Sequence, residues 1–140
     1  MYRVILVLIA FCAVITSACS KQTPPMPELM SGNEEIDVYQ QSYCWHLGCF
    51  DKVGGIEALE HKISTNVSPG SKMTFEFPSA NPPDKIMLQQ LDDHKQAEYP
   101  MTEGEIFLPD DEGTYYFEIH AIWDNGYDSF YGFVVDVRAH

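Results

Sequence analysis

Thr114-Tyr115-Tyr116-Phe117-Glu118-Ile119-His120-Ala121-Ile122-Trp123, closed by Asp124-Asn125-Gly126, is the stretch that decides the fold. Side chains of an extended chain alternate between two faces. Tyr115, Phe117, Ile119, Ala121 and Trp123 therefore share one wholly apolar face, while Tyr116, Glu118, His120 and Ile122 share the other. This is the period of a strand and not of a helix. Asp-Asn-Gly is a strong turn signal, and residues 131–137 (YGFVVDV) return as a second strand.

Outward from this pair the same grammar repeats. Met73, Phe75 and Phe77 alternate with Thr74 and Glu76 after the turn Ser68-Pro69-Gly70-Ser71, residues 85–91 supply another strand, residues 105–108 a shorter one, and residues 36–40 (IDVYQ) a first one. Only residues 55–62 (GIEALEHK) have helical spacing, with Ile56, Leu59 and Ile63 on one side. Short strands separated by turn residues predict a sandwich or barrel. Just before the deciding strand, Asp111-Glu112-Gly113-Thr114-Tyr115 resembles the corner of immunoglobulin-like sandwiches, where a tyrosine hydroxyl bonds back to upstream backbone. The resemblance implies an all-β, immunoglobulin-like β-sandwich over residues 36–140 with one short helix, and a structural role for Asp111, Gly113 and Tyr115. A fold of this kind does not by itself specify a function.

The N-terminus says where the domain sits. Arg3, an apolar run over residues 4–15 and the small residues Ser17 and Ala18 follow the three-part order of a secretory signal. The run is too short for a spanning helix, which takes about 20 residues. Ser17-Ala18-Cys19 resembles the lipobox of bacterial lipoproteins, with Thr16 where that motif usually carries Leu. The resemblance implies a signal peptide over residues 1–18 and a diacylglyceryl group on Cys19, whose two acyl chains anchor a protein stably where one does not. Residues 20–35 (SKQTPPMPELMSGNEE) carry three prolines and no apolar period, so residues 19–35 are expected to be a lipid-anchored flexible tether. The expected location is the extracytoplasmic face of the cell membrane.

Charge bounds the partners. The chain has 21 acidic against 8 basic side chains, and loss of Arg3 with the signal leaves a formal charge of −14. Phosphates repel such a chain, so nucleic acid is excluded, and attachment to the membrane falls to the lipid and not to a basic surface. An envelope protein or another cationic partner remains.

Ser42-Tyr43-Cys44-Trp45-His46-Leu47-Gly48-Cys49-Phe50-Asp51 holds the second distinctive feature. In an oxidising exterior Cys44 and Cys49 are expected to pair, with Gly48 letting the chain double back. A metal site or redox centre built on Cys44, His46 and Cys49 is the competing reading, although zinc prefers a second pair of ligands with its own spacing. The Tyr-Cys-Trp pattern with its second Cys, the Gly-rich step and Pro-Gly-Ser before an apolar strand also resembles small lipoproteins of bacillus-type bacteria, which implies a surface lipoprotein and no reaction. Asp124-Asn125-Gly126-Tyr127-Asp128 and Asp92-Asp93-His94 read as a turn and a solvated loop, and no glycine-rich phosphate loop or nucleophile motif is present. No cofactor, no metal and no catalytic residue is assigned. Trp45, Tyr127, Phe130 and Tyr131 lie in or beside predicted loops and form the expected binding surface. The expected function is thus a non-catalytic binding module, with a small envelope enzyme or metal or redox handler centred on Cys44, His46 and Cys49 as its alternative.

Overall fold

The hairpin that ends the chain forms the centre of the larger of two sheets in the computed structural model, which describes residues 23–78, 80–92, 95–101 and 105–139. Strands β10 (Gly113–Ile122) and β11 (Asp128–Val137) pair along their whole length, from Gly113 opposite Val137 to Ile122 opposite Asp128. Beyond β10 lie β7 (Lys85–Asp92) and β8 (Lys95–Glu98); beyond β11 lie β3 (Val38–Trp45) and β4 (Gly48–Phe50), all antiparallel. The short strand β5 (Thr65–Val67) runs parallel to the far end of β11. The smaller sheet takes the order β2 (Glu34–Ile36), β1 (Glu28–Ser31), β6 (Lys72–Glu76), β9 (Glu105–Phe107), antiparallel throughout. With the short helix α1 (Gly55–Leu59) this is the all-β sandwich that the strand pattern predicts.

The core lies where the two inner faces meet. Phe117, Ile119, Ala121 and Trp123 of the deciding stretch are all buried, and β11 adds Tyr131, Phe133, Val135 and Val137. Leu29, Ile36, Met73 and Ile106 fill the layer from the smaller sheet. Phe117 and Phe133, directly opposite in register, stack with centroids 5.1 Å apart. At the corner, the Tyr115 hydroxyl donates to the carbonyl oxygen of Asp111 at 2.9 Å, and the Tyr115 ring lies against Gly113. The corner predicted from Asp111, Gly113 and Tyr115 is therefore built.

Three expectations are corrected. Residues 23–35 belong to the sandwich: Pro24 and Pro27 are buried, Leu29 has no exposed surface, and Glu28–Ser31 pairs with both β2 and β6. A chain can dock a strand between prolines because the ladder begins only after Pro27, so the prolines cost it no hydrogen bond. Residues 36–40 are not one strand. The chain crosses from one sheet to the other at Asp37, whose N–H is held by Thr65 Oγ1 at 3.3 Å. Helix α1 ends at Leu59, and Ile63, expected on its apolar side, is 72% exposed. The outer face of the larger sheet is also covered, since Leu59, Leu91 and Val134 form a second apolar cluster with Tyr39, Ile56 and Tyr116. The signal segment and Cys19 lie outside the described residues.

Candidate functional site

Trp45, Tyr127, Phe130 and Tyr131 do not form one exposed surface. Phe130 and Tyr131 are consecutive residues of a strand and must point to opposite faces. Tyr131 faces inward with no exposed surface, and its hydroxyl donates to the Pro25 carbonyl at 2.6 Å. Burial pushes the Tyr131 phenol up to about 12. Trp45 is buried as well, edge-on to Trp123 at 4.9 Å and 4.8 Å from the Tyr127 ring. Half-buried Tyr127 closes this inner stack and hydrogen-bonds His46 Nδ1 through its hydroxyl at 2.9 Å. Only Phe130 reaches the outer face, where it stacks on His120 with centroids 3.9 Å apart.

Cys44 and Cys49 face each other across the β3–β4 ladder and form a disulfide. The turn His46-Leu47 is closed by Gly48 at φ +121°, a backbone conformation that a side chain would strain. With both sulfurs in the disulfide and His46 Nδ1 bonded to Tyr127, the three residues do not offer a metal-ligand set. The bridge instead fixes a hairpin that carries apolar side chains into solvent: Leu47 is 64% exposed, Phe50 44% and, three residues on, Val53 62%. Phe50 is steadied by the Tyr43 ring at 4.9 Å. After β4 the chain is tied back to the sheet by Ser42, whose Oγ accepts from the Lys52 N–H at 2.9 Å and donates to the Lys52 carbonyl at 3.2 Å. Beside the base of this hairpin a cleft of about 860 Å³ opens against residues 23–28, Asp37 and His46.

A second site lies on the outer face of the larger sheet and could not be read from the sequence. Ser129 pairs with Tyr43 while Tyr131 pairs with Gln40, so Gln41 and Ser42 together oppose Phe130 in a bulge. The bulge aims the Gln41 side chain across Gly132, which has no Cβ in its way; a Cβ there would stand 2.6 Å from both Gln41 Nε2 and Leu59 Cδ2. Gln41 is 3% exposed, and neither Nε2 nor Oε1 has a hydrogen-bond partner. Leaving such a group unpaired costs about 1–3 kcal/mol. Its neighbour is Glu118, 9% exposed, whose carboxylate accepts the Gly55 backbone N–H. Burial pushes the Glu118 carboxyl above its usual range, and the Gly55 N–H and His120 pull it partly back. His120 itself is held by Asp128, Nε2 to Oδ2 at 2.9 Å. Gln41, Ser42, Gly54, Gly55, Glu118 and Phe130 line an open hollow of about 330 Å³. The sequence signal was the placement of Glu118 and His120 on one strand face; what it lacked was the cover supplied by the 51–55 segment and α1.

No protein-family model, no curated protein and no solved structure matches this chain.

Proposed function

We propose that the chain is a lipid-anchored protein of the cell envelope whose β-sandwich faces away from the cytoplasm and acts as a non-catalytic binding module. The braced hairpin is its contact element for a protein partner. The observation that carries this reading is the exposure of Leu47 and Phe50 on a hairpin locked by Cys44–Cys49. Single exposed apolar residues are ordinary on any surface. Here three large ones fall within seven residues, and the disulfide has already removed the conformational freedom that binding would otherwise have to freeze. The excess of acidic side chains supports a partner with a basic rim around its apolar pocket. Lipidation is supported by the sequence around Cys19.

Two experiments test it. Metabolic labelling with a fatty acid analogue should mark the chain and not its Cys19→Ala variant; equal labelling of both would remove the anchor. A photo-crosslinking residue placed at Leu47 of the full chain should capture one envelope protein in intact cells, and Phe50→Ser in the same chain should reduce that capture by about tenfold, as expected for truncating a central anchor. Capture unaffected by Phe50→Ser would show that the hairpin is not the contact element.

A further inference from the structure

The hollow beside Gly54 and Gly55 has no role in the hairpin reading, yet it is lined by an unpartnered buried amide and a buried carboxylate. An almost fully buried amide without a partner and a desolvated carboxylate would each be replaced by an apolar side chain if packing alone mattered. Gln41 Oε1 and Glu118 Oε2 each lie 3.9 Å from the place where a Cβ of Gly54 would be, and Gly54 leaves that place open. Both acceptors therefore border one open space, where a group that brings hydrogens would meet them.

The charge of that group follows from its surroundings. Glu118 is in no ion pair among the described residues; its nearest basic neighbour, His120, is turned to Asp128. An anion would meet a carboxylate and an acidic domain, and a neutral ligand would leave the desolvated charge uncompensated. Among the described residues no three His, Cys, Asp or Glu side chains gather to hold a metal ion, and here a single carboxylate stands beside one amide, the Ser42 hydroxyl being engaged with Lys52. A volume of about 330 Å³ suits the head of an organic cation with a few methylenes. We infer that this hollow binds a primary ammonium or guanidinium group, its N–H donors shared between the Glu118 carboxylate and the Gln41 amide oxygen. The group comes from a free amine or from a lysine or arginine side chain of a protein.

The test is nuclear magnetic resonance titration of the isotopically labelled full chain in detergent, following the Gln41 side-chain amide and the Gly55 backbone N–H. Ethylammonium and methylguanidinium should shift both signals saturably, while tetramethylammonium, a cation without N–H donors, should leave them in place. Glu118→Gln should weaken ethylammonium binding by about tenfold or more, the scale of one charge-assisted hydrogen bond lost. Gly54→Ala is the second variant: Gly54 has ordinary extended backbone (φ −112°) and its methyl meets nothing closer than 3.9 Å, so the fold is kept while the space between the two oxygens is filled. It too should abolish the shifts. Tighter binding of the blocked tripeptides Gly-Lys-Gly and Gly-Arg-Gly than of ethylammonium assigns the cation to a protein side chain, and the reverse assigns it to a small amine. Equal shifts with tetramethylammonium, or undiminished binding by Glu118→Gln or Gly54→Ala, would overturn the assignment. Phe50→Ser should leave every one of these titrations unchanged, so failure here and failure of the hairpin are separate results.

Discussion

The Tyr131 hydroxyl donates to the Pro25 carbonyl at 2.6 Å, joining two residues 106 positions apart. It ties residues 23–27 to the central strand through a part-buried contact, the Pro25 carbonyl lying beside the cleft. Tyr131→Phe would remove that hydrogen bond, at a cost of about 0.5–1.5 kcal/mol in a urea melt, and should make residues 23–27 the first site of limited proteolysis. The pH dependence has a definite sign. The folded chain keeps the phenol neutral up to about 12, against an ordinary tyrosine value of 10.0. The stability it contributes is complete below pH 10.0 and lost as pH rises through 12. Tyr131→Phe should flatten this alkaline branch.

Glu118 gives a second linkage with its own window. Its carboxyl titrates above the ordinary glutamate value of 4.5, chiefly because burial penalises the charged form, so the folded chain holds this proton more tightly than the unfolded one. The contribution is fully present below pH 4.5 and is lost as pH rises through the folded-state value. Glu118→Gln keeps an acceptor for the Gly55 N–H and removes the titration. It should match the parent at about pH 3.5 and melt above it at pH 7. A variant that melts below the parent at neutral pH would mean that the carboxylate is stabilising where it lies.

Gly132→Ala tests the close approach that seats Gln41. The added methyl would meet Gln41 Nε2 and Leu59 Cδ2 at 2.6 Å, and overpacking of this kind costs about 1–3 kcal/mol. Denaturant midpoints measure it. If the bulge rather than Gly132 positions Gln41, the substitution will be nearly silent.

At the corner, Tyr115→Phe removes the hydrogen bond to Asp111 from a half-buried site, and should cost about 0.5–1.5 kcal/mol. Tyr116 points to the opposite face of the same strand, into the cluster around Leu59. Tyr116→Phe keeps that packing and should change stability by less than about 0.5 kcal/mol.

Cys44→Ala with Cys49→Ala should cost about 2 kcal/mol on the chain-entropy account of so short a loop. Intact mass after alkylation should show both thiols protected until reductant is added. The same pair of substitutions should lower photo-capture at position 47 by loosening the hairpin.

What could be read from the residues divides along a physical line. Where one face of a strand is core and the other is more open, alternation is visible, and β6 and β10 showed it. In β3 the bulge at Gln41-Ser42 shifts the period, so the alternation seen over Val38 to Gln40 does not continue to Trp45. β4, β5 and β8 are too short to display a period. Leu29 lay hidden because prolines beside it mark loops as well as strand entries. The cation site was out of reach for a different reason. It depends on a helix and a loop lying over a face that local sequence describes as half polar, and no local pattern records what another segment will cover.

β11 pairs with β10, β3 and β5, and it follows all three in the chain. Until residues 128–137 have emerged, three earlier strands lack the neighbour that completes their hydrogen bonds, and neither sheet has the inner face of β11 to close upon. Contacts so distant in sequence form slowly and only after a large loop has been closed. The larger sheet is therefore completed only once residues 128–137 are available to pair, and the hydrogen bonds of three strands close in that one step.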